Sequence, residues 1–295
     1  MTPITLDELN RMDQQAFVGA LGDVFEHAPW VAETAHKARP FPSLDALYKA
    51  MTAATREAGE ARQMALIKGH PDLAGKAARE GAITADSKLE QSSAGLDRLT
   101  EDEFAAFHRL NDAYRTKFGI PFIVCVRRHG KESILRQFEK RLRNDSDSER
   151  QTALGEIFRI AALRLDQRIA AADRLKVNGR LSTHVLDTRR GQPAANVTIA
   201  LFEIAASGSL RKILQATTNA DGRTDQPLIS GMPIPIAQYE LQFNVGDYFR
   251  EQQVSMSDPP FLGIVPLRFA VAEPEGHYHV PLIVTPWSYS TYRGS

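Results

Sequence analysis

One cysteine, Cys125, stands in a chain of 295 residues, which excludes an intrachain disulfide and any CxxC type of metal site. Neither sign of charge is in excess. With 36 basic against 36 acidic residues there is no electrostatic footing for nucleic acid or an anionic membrane. No apolar run approaches the length of a membrane span. The first thirty residues carry Asp7, Glu8, Asp13 and Asp23 and lack the apolar core of a signal peptide. A cytoplasmic protein is the expectation. Apolar residues at 43% and charged residues at 24% suit a globular protein, and the length suits two domains.

What is present changes character along the chain. Up to about residue 175 the apolar spacing is helical. Thr5-x-x-Glu8, Thr100-x-x-Glu103 and Ser146-x-x-Glu149 have capping-box spacing and predict three helix starts. Phe104, Phe107, Leu110, Tyr114 and Phe118 follow the second at steps of three or four, and Leu154, Ile157, Ala161, Leu165 and Ile169 follow the third. Past Asn178-Gly179 the period becomes two. Val197, Ile199 and Leu201 alternate with Thr198, Ala200 and Phe202, and Tyr239, Leu241, Phe243 and Val245 with Glu240, Gln242 and Asn244. Arg190-Gly191-Gln192-Pro193, Asn219-Ala220-Asp221-Gly222 and Ser257-Asp258-Pro259-Pro260 read as turns between strands. An all-α domain over residues 1–174 followed by an all-β sandwich over 175–295 is the expected architecture.

Four polar positions stand out in the second half. His184 interrupts an otherwise alternating strand, Arg223 follows the Asp221-Gly222 turn, and His277 and His279 share one strand face with Tyr278 on the other. Each histidine alone reads as readily as a surface or hydrogen-bonded residue. A His-x-His pair also suggests metal, but no cysteine and no matched acidic cluster completes a zinc set. The last residues, Tyr292-Arg293-Gly294-Ser295, follow a β-prone segment expected to hold them in a sheet. In the first half the loop Gly69-His70-Pro71-Asp72-Leu73-Ala74-Gly75-Lys76 carries a histidine that could line a site or simply cap a helix. Ser87, Glu90 and Gln91 fall near one helical face, and Phe122-Ile123-Val124-Cys125-Val126 reads as an extended apolar piece after a Gly/Pro break.

The strand half, with His184-Val-Leu-Asp-Thr, Arg223, His279-Val-Pro and Tyr-Arg-Gly-Ser, resembles the transthyretin-related 5-hydroxyisourate hydrolases over roughly residues 178–295. Thr285 and Trp287 stand where serine and tyrosine are common in that family. The resemblance implies a transthyretin-like sandwich and a cyclic-amide hydrolase. Its catalytic set would be His184, Arg223, His279, Tyr292 and Ser295, with Arg293 and Gly294 beside the substrate. An imidazole would activate water, and Arg223 would steady the developing oxyanion. An unperturbed imidazole titrates near ~6.5 and the neighbouring Arg223 charge would push that value down, so hydrolysis should fall below about pH 6.

The helical half resembles the 2-oxo-4-hydroxy-4-carboxy-5-ureidoimidazoline (OHCU) decarboxylases over about residues 5–170. The match implies His70 as the catalytic acid, read as an imidazolium. Pro71, Ser87, Glu90, Gln91 and Phe122, Ile123, Val124, Cys125 and Val126 would hold the substrate. Together the two resemblances imply a bifunctional enzyme that converts 5-hydroxyisourate to OHCU and OHCU to (S)-allantoin, without cofactor or metal. They also imply functional coupling to urate oxidase and a homo-oligomer, tetrameric through the hydrolase domain and dimeric through the decarboxylase domain. The rival is a transthyretin-like small-ligand carrier fused to a catalytically silent helical interaction domain.

Overall fold

A computed structural model describes residues 3–74 and 84–294, with the side chain of Ala85 excepted. Gly75 and Lys76 of the histidine loop, and Ser295 of the expected hydrolase set, lie outside the described residues. The chain divides into two compact units, Met1–Arg127 with Ser133–Val177, and Arg128–Glu132 with Asn178–Ser295. The contact boundary thus falls after Val177 rather than after residue 174. Arg174 and the Leu175 N–H both bond to the Asp166 carboxylate, and Val177 is buried in the helical core. Arg128–Glu132 joins the strand unit through Gly130 N–H to the Ile236 carbonyl (3.1 Å), Ile236 N–H to the Arg128 carbonyl (2.8 Å) and an ion pair from Arg128 to Glu275 (2.7 Å).

In the helical unit the capping boxes at Thr5 and Thr100 form as expected, each threonine accepting from its N3 amide while the N3 glutamate accepts from the threonine N–H. The third does not. Asp145, not Ser146, caps the helix Ser146–Arg168, and Glu149 is buried against Arg141 and Tyr114. The stripe on helix Glu101–Phe118 buries Phe107, Leu110 and Tyr114, and Gly119, at φ +66°, ends it. Helix Ser146–Arg168 is buried nearly all round, so it is a central core helix and not a one-stripe surface helix. Its last residues lead into Ile169–Ala170, which pairs in parallel with Ile4–Thr5.

The strand unit is a sandwich. One sheet runs Ile264–Val271, Ala237–Asn244, Thr198–Ile204, Leu210–Thr217, all antiparallel. The alternation predicted for residues 239–245 holds to Asn244. That side chain then caps the helix Val245–Glu251, an element the strand pattern concealed. The opposite face is a line of strands broken in the middle. Gly179–Ser182 pairs in parallel with His277–His279, and Val185–Asp187 pairs in parallel with Leu282–Val284. Pro281 has no N–H for the ladder, and the gap is spanned by Val280 N–H to the Ser182 carbonyl (3.0 Å) and Leu282 N–H to the His184 carbonyl (2.8 Å). Leu181, Val185, Leu282 and Val284 from this face and Ile199, Leu201, Leu241, Phe243 and Val265 from the other share one apolar core.

Candidate active sites

In the helical unit, helix Gly59–Lys68 ends at Gly69 and delivers His70 into a small, half-open pocket. His70 Nδ1 lies 2.9 Å from the Leu66 carbonyl, so it carries the proton and caps the helix end. The cap and the site are the same residue, because this bond leaves Nε2 as a lone pair. Burial pushes the His70 pKa below the ordinary imidazole value, against the opposing pull of the Leu66 carbonyl and the Glu26 charge. That direction disfavours the imidazolium expected for this residue. The loop after it is tied down by Arg115 to Asp72 (3.0 Å), Asn111 Nδ2 to the Leu73 carbonyl (2.8 Å) and Ala74 N–H to Gln91 Oε1 (3.0 Å).

Facing His70 is a charged array. The Ser87 hydroxyl donates to Glu26 (2.7 Å), Thr84 also donates to Glu26 (2.8 Å), and Arg164 bridges Glu26 (3.1 Å) and Glu90 (2.9 Å, through two nitrogens). Burial would raise the Glu26 pKa, but the Ser87 and Thr84 hydrogen bonds and the Arg164 charge hold it below the usual carboxylate value. Glu90 is raised, by burial first and then by the Glu26 and Asp86 charges, despite its bond to Arg164. Pro71, Gln91, Phe122, Ile123, Val124 and Val126 complete the lining. Cys125 does not line it. That residue is buried with its N–H on Glu156 (2.8 Å), so its expected substrate contact is corrected to packing. Glu26 and Arg164 were not singled out from the sequence. The available signal was an arginine in register with Ile157 and Ala161 on an otherwise apolar helix face.

In the strand unit the broken line of strands sets the second site. Gly222, at φ +68°, closes the turn that Asn219 organises by accepting from the Asp221 and Arg223 amides. A Cβ there would stand 2.4 Å from the Val185 carbonyl, so only glycine lets the turn approach and bridge Arg223 to His184. His184 Nδ1 meets His279 Nε2 at 2.7 Å, with the rings 4.8 Å apart and nearly parallel. Ser182, whose role the sequence did not reveal, places its hydroxyl 2.9 Å from His279 Nδ1. Burial lowers the His184 pKa, and the Arg223 charge adds to it. For His279 burial comes first, then the charges of His184, Arg223, His277 and Arg180, and the value falls to about 4. Gly294 donates its N–H to the His279 carbonyl (2.9 Å), and a Cβ on it would lie 2.7 Å from the imidazole. Arg293 stacks over Tyr278 at 4.8 Å, while Tyr292 is exposed. The structure therefore brings together His184, His279, Arg223 and Gly294.

Two enzyme folds, each with its own polar site, are joined in this chain. Residues 10–166 match the OHCU decarboxylase family and residues 181–294 the HIUase/transthyretin family. The chain belongs to the OHCU decarboxylase family and, through its strand unit, to the hydroxyisourate hydrolases, so it is a bifunctional enzyme. It is 40% identical to a 2-oxo-4-hydroxy-4-carboxy-5-ureidoimidazoline decarboxylase of Haloferax volcanii, over 58% of this chain and 99% of that one. It is 55% identical to a 5-hydroxyisourate hydrolase of Deinococcus radiodurans, over 39% of this chain and 95% of the relative. A crystal structure of an (S)-allantoin synthase aligns at TM-score 0.53 and 33% identity, covering 99% of this chain and 100% of that one. The uric acid degradation bifunctional protein PucL of Bacillus subtilis is 41% identical over 55% of this chain, which spans 32% of its length.

Proposed function

We propose that the chain performs two consecutive steps of urate degradation. The strand unit hydrolyses 5-hydroxyisourate to OHCU, and the helical unit decarboxylates OHCU to (S)-allantoin. The observation that supports this best is that each unit holds a neutral-histidine site of its own. In the strand unit, His184 Nε2 offers a lone pair for a water proton while both nitrogens of His279 are engaged, and Arg223 offers a planar cation to the oxyanion. An apolar carrier cavity would not place two hydrogen-bonded imidazoles on its wall, which disfavours the carrier alternative.

In the helical unit the substrate carboxylate leaves as CO2, and its electron pair moves into the adjacent C=N bond, whose nitrogen takes up a proton. The hydroxyl proton must then pass to the neighbouring carbon. His70 Nε2 suits that transfer, since it can take the first proton and return it to one face. Arg164, whose N–H groups are spent on Glu26, Glu90 and the Asp23 and Val24 carbonyls, holds the two carboxylates beside His70 and sets the charge of the site. Pro71, Ser87, Gln91 and the Phe122–Val124 and Val126 wall fix which face is open. The assignment of residues 1–174 and 175–295 to the two activities follows the same reading, as do Tyr292, Arg293 and Ser295 as parts of the hydrolase site.

A coupled assay tests the reading. Urate, urate oxidase and the protein should give fast loss of hydroxyisourate absorbance and allantoin of one hand by circular dichroism; racemic allantoin at the spontaneous rate overturns it. Functional coupling to urate oxidase, a cytoplasmic site and a homo-oligomer, with the hydrolase domain as tetramer and the decarboxylase domain as dimer, belong to the same proposal. Exposed Trp287, Tyr289 and Leu89 support assembly, and light scattering showing a monomer would remove it. Among the described residues no helix is long and apolar enough to cross a membrane.

A further inference from the structure

Four polar side chains of the strand unit touch in single file. His184 Nδ1 is 2.7 Å from His279 Nε2, His279 Nδ1 is 2.9 Å from Ser182 Oγ, and the same hydroxyl is 3.3 Å from His277 Nε2. The placement follows from register. Ser182 is the ladder partner of His279, and His277 lies two residues back on the same face. The file runs from His279, 9% exposed, to His277 at the surface. Two opposite polarities satisfy every link, and the one that leaves His184 Nε2 as a lone pair has His184 Nδ1–H donating to His279, His279 Nδ1–H to Ser182, and Ser182 O–H to His277 Nε2.

We propose that Ser182 and His277 form the proton exit of the hydrolase site, carrying to the surface the proton that the attacking water gives to His184. The proposal rests on the hydrolase reading above. Water oxygen bonds to the amide carbon, the C–N bond breaks with its electron pair going to nitrogen, and one water proton ends on that nitrogen. The product acid is a carboxylate at neutral pH, so one proton must leave in each turnover. His184 Nε2 accepts it, each hydrogen bond in the file shifts one proton outward, and His277 becomes the imidazolium that discharges to solvent. A charge resting on buried His279 is opposed first by burial and then by the charges of His184, Arg223, His277 and Arg180, so the proton does not stay on that ring. Ser182 and His277 act through the other two rings and are positioning residues.

The test compares hydroxyisourate hydrolysis by the full chain and by His277→Ala, Ser182→Ala and Ser182→Thr, in dilute buffer and with added imidazole. Far-ultraviolet circular dichroism and a thermal melt of the same samples report that the strand unit, which carries both positions, is folded. His277→Ala should lower kcat roughly tenfold in dilute buffer, short of the 10²–10⁴ of a direct general base, with KM unchanged. Added imidazole should restore it. Ser182→Thr keeps the hydroxyl and should keep the rate, whereas Ser182→Ala should not. Wild-type rate in His277→Ala without imidazole, a loss that imidazole fails to restore, or equal rates in the two Ser182 variants would each overturn the exit. A wild-type chain that does not hydrolyse hydroxyisourate would instead overturn the hydrolase reading itself.

Discussion

Burial works against charge on the three histidines assigned to chemistry, and this sets their pH behaviour. A base must be neutral, and a pKa depressed below the ordinary ~6.5 keeps the ring neutral further into acid. Hydrolysis should therefore extend further into acid than an unperturbed imidazole allows, its acid limb lying below ~6.5 because burial and the Arg223 charge lower the pKa of His184. A hydrolysis profile with its acid limb near ~6.5 would contradict the buried pair. The same depression means protonation favours the unfolded chain. The histidine contribution to stability is complete above ~6.5 and declines as pH falls through the folded values. Gly294 supplies a sharper probe. Gly294→Ala forces a methyl to 2.7 Å from the His279 ring and should cut hydrolysis by about tenfold or more, with decarboxylation intact. Parallel assays of the two steps on that variant decide it. Histidines, Arg223 and the Tyr-Arg-Gly segment were legible because motif and spacing mark them. Arg164 and Glu26 were not, because their meeting joins positions 138 residues apart, and neither carries a local signature.

At the scale of elements, local chemistry fixed most helix starts, and the exception is instructive. Ser146-x-x-Glu149 has the right spacing, but Asp145 accepts from the Ser148 amide at 2.8 Å and takes the cap. Glu149 is diverted inward to the Arg141 guanidinium. Asp145→Ala should thus lower the thermal or denaturant unfolding midpoint by more than Ser146→Ala does. Ser146→Ala, an exposed first-turn change, should stay within about 0.5 kcal/mol. Equal costs would restore the sequence-based cap. Glu149→Ala leaves Arg141 buried without its partner and should destabilise by about 3–5 kcal/mol. Strand alternation was equally legible, but Val245 continues the period of two while the chain has already turned into a helix. Periodicity cannot see a cap that begins inside its own window.

For the whole molecule, the change from helical to strand period located two folds, while the assignment of Arg128–Glu132 to the strand unit lay beyond any periodic signal. Two separate sites imply two separable losses. His70→Ala should bring decarboxylation to its spontaneous rate and leave hydrolysis fast, and His184→Ala should do the reverse. Equal loss of both steps in either folded variant, followed by absorbance and circular dichroism, would show that the sites are not independent. The interrupted strands carry a consequence for how such a chain can vary. His184 and His279 meet because both neighbouring strands break and resume together, with Ser182 opposite His279 and Val185 opposite Leu282. One inserted or deleted residue between 182 and 185, or between 279 and 282, would turn an imidazole to the other side of its sheet. Length changes should instead collect in the hairpin tip Ala205–Ser209, where Gly208 turns the chain and no site residue is downstream in the same ladder face. A library of random insertions scored for hydrolysis should come back tolerant there and empty across the two breaks.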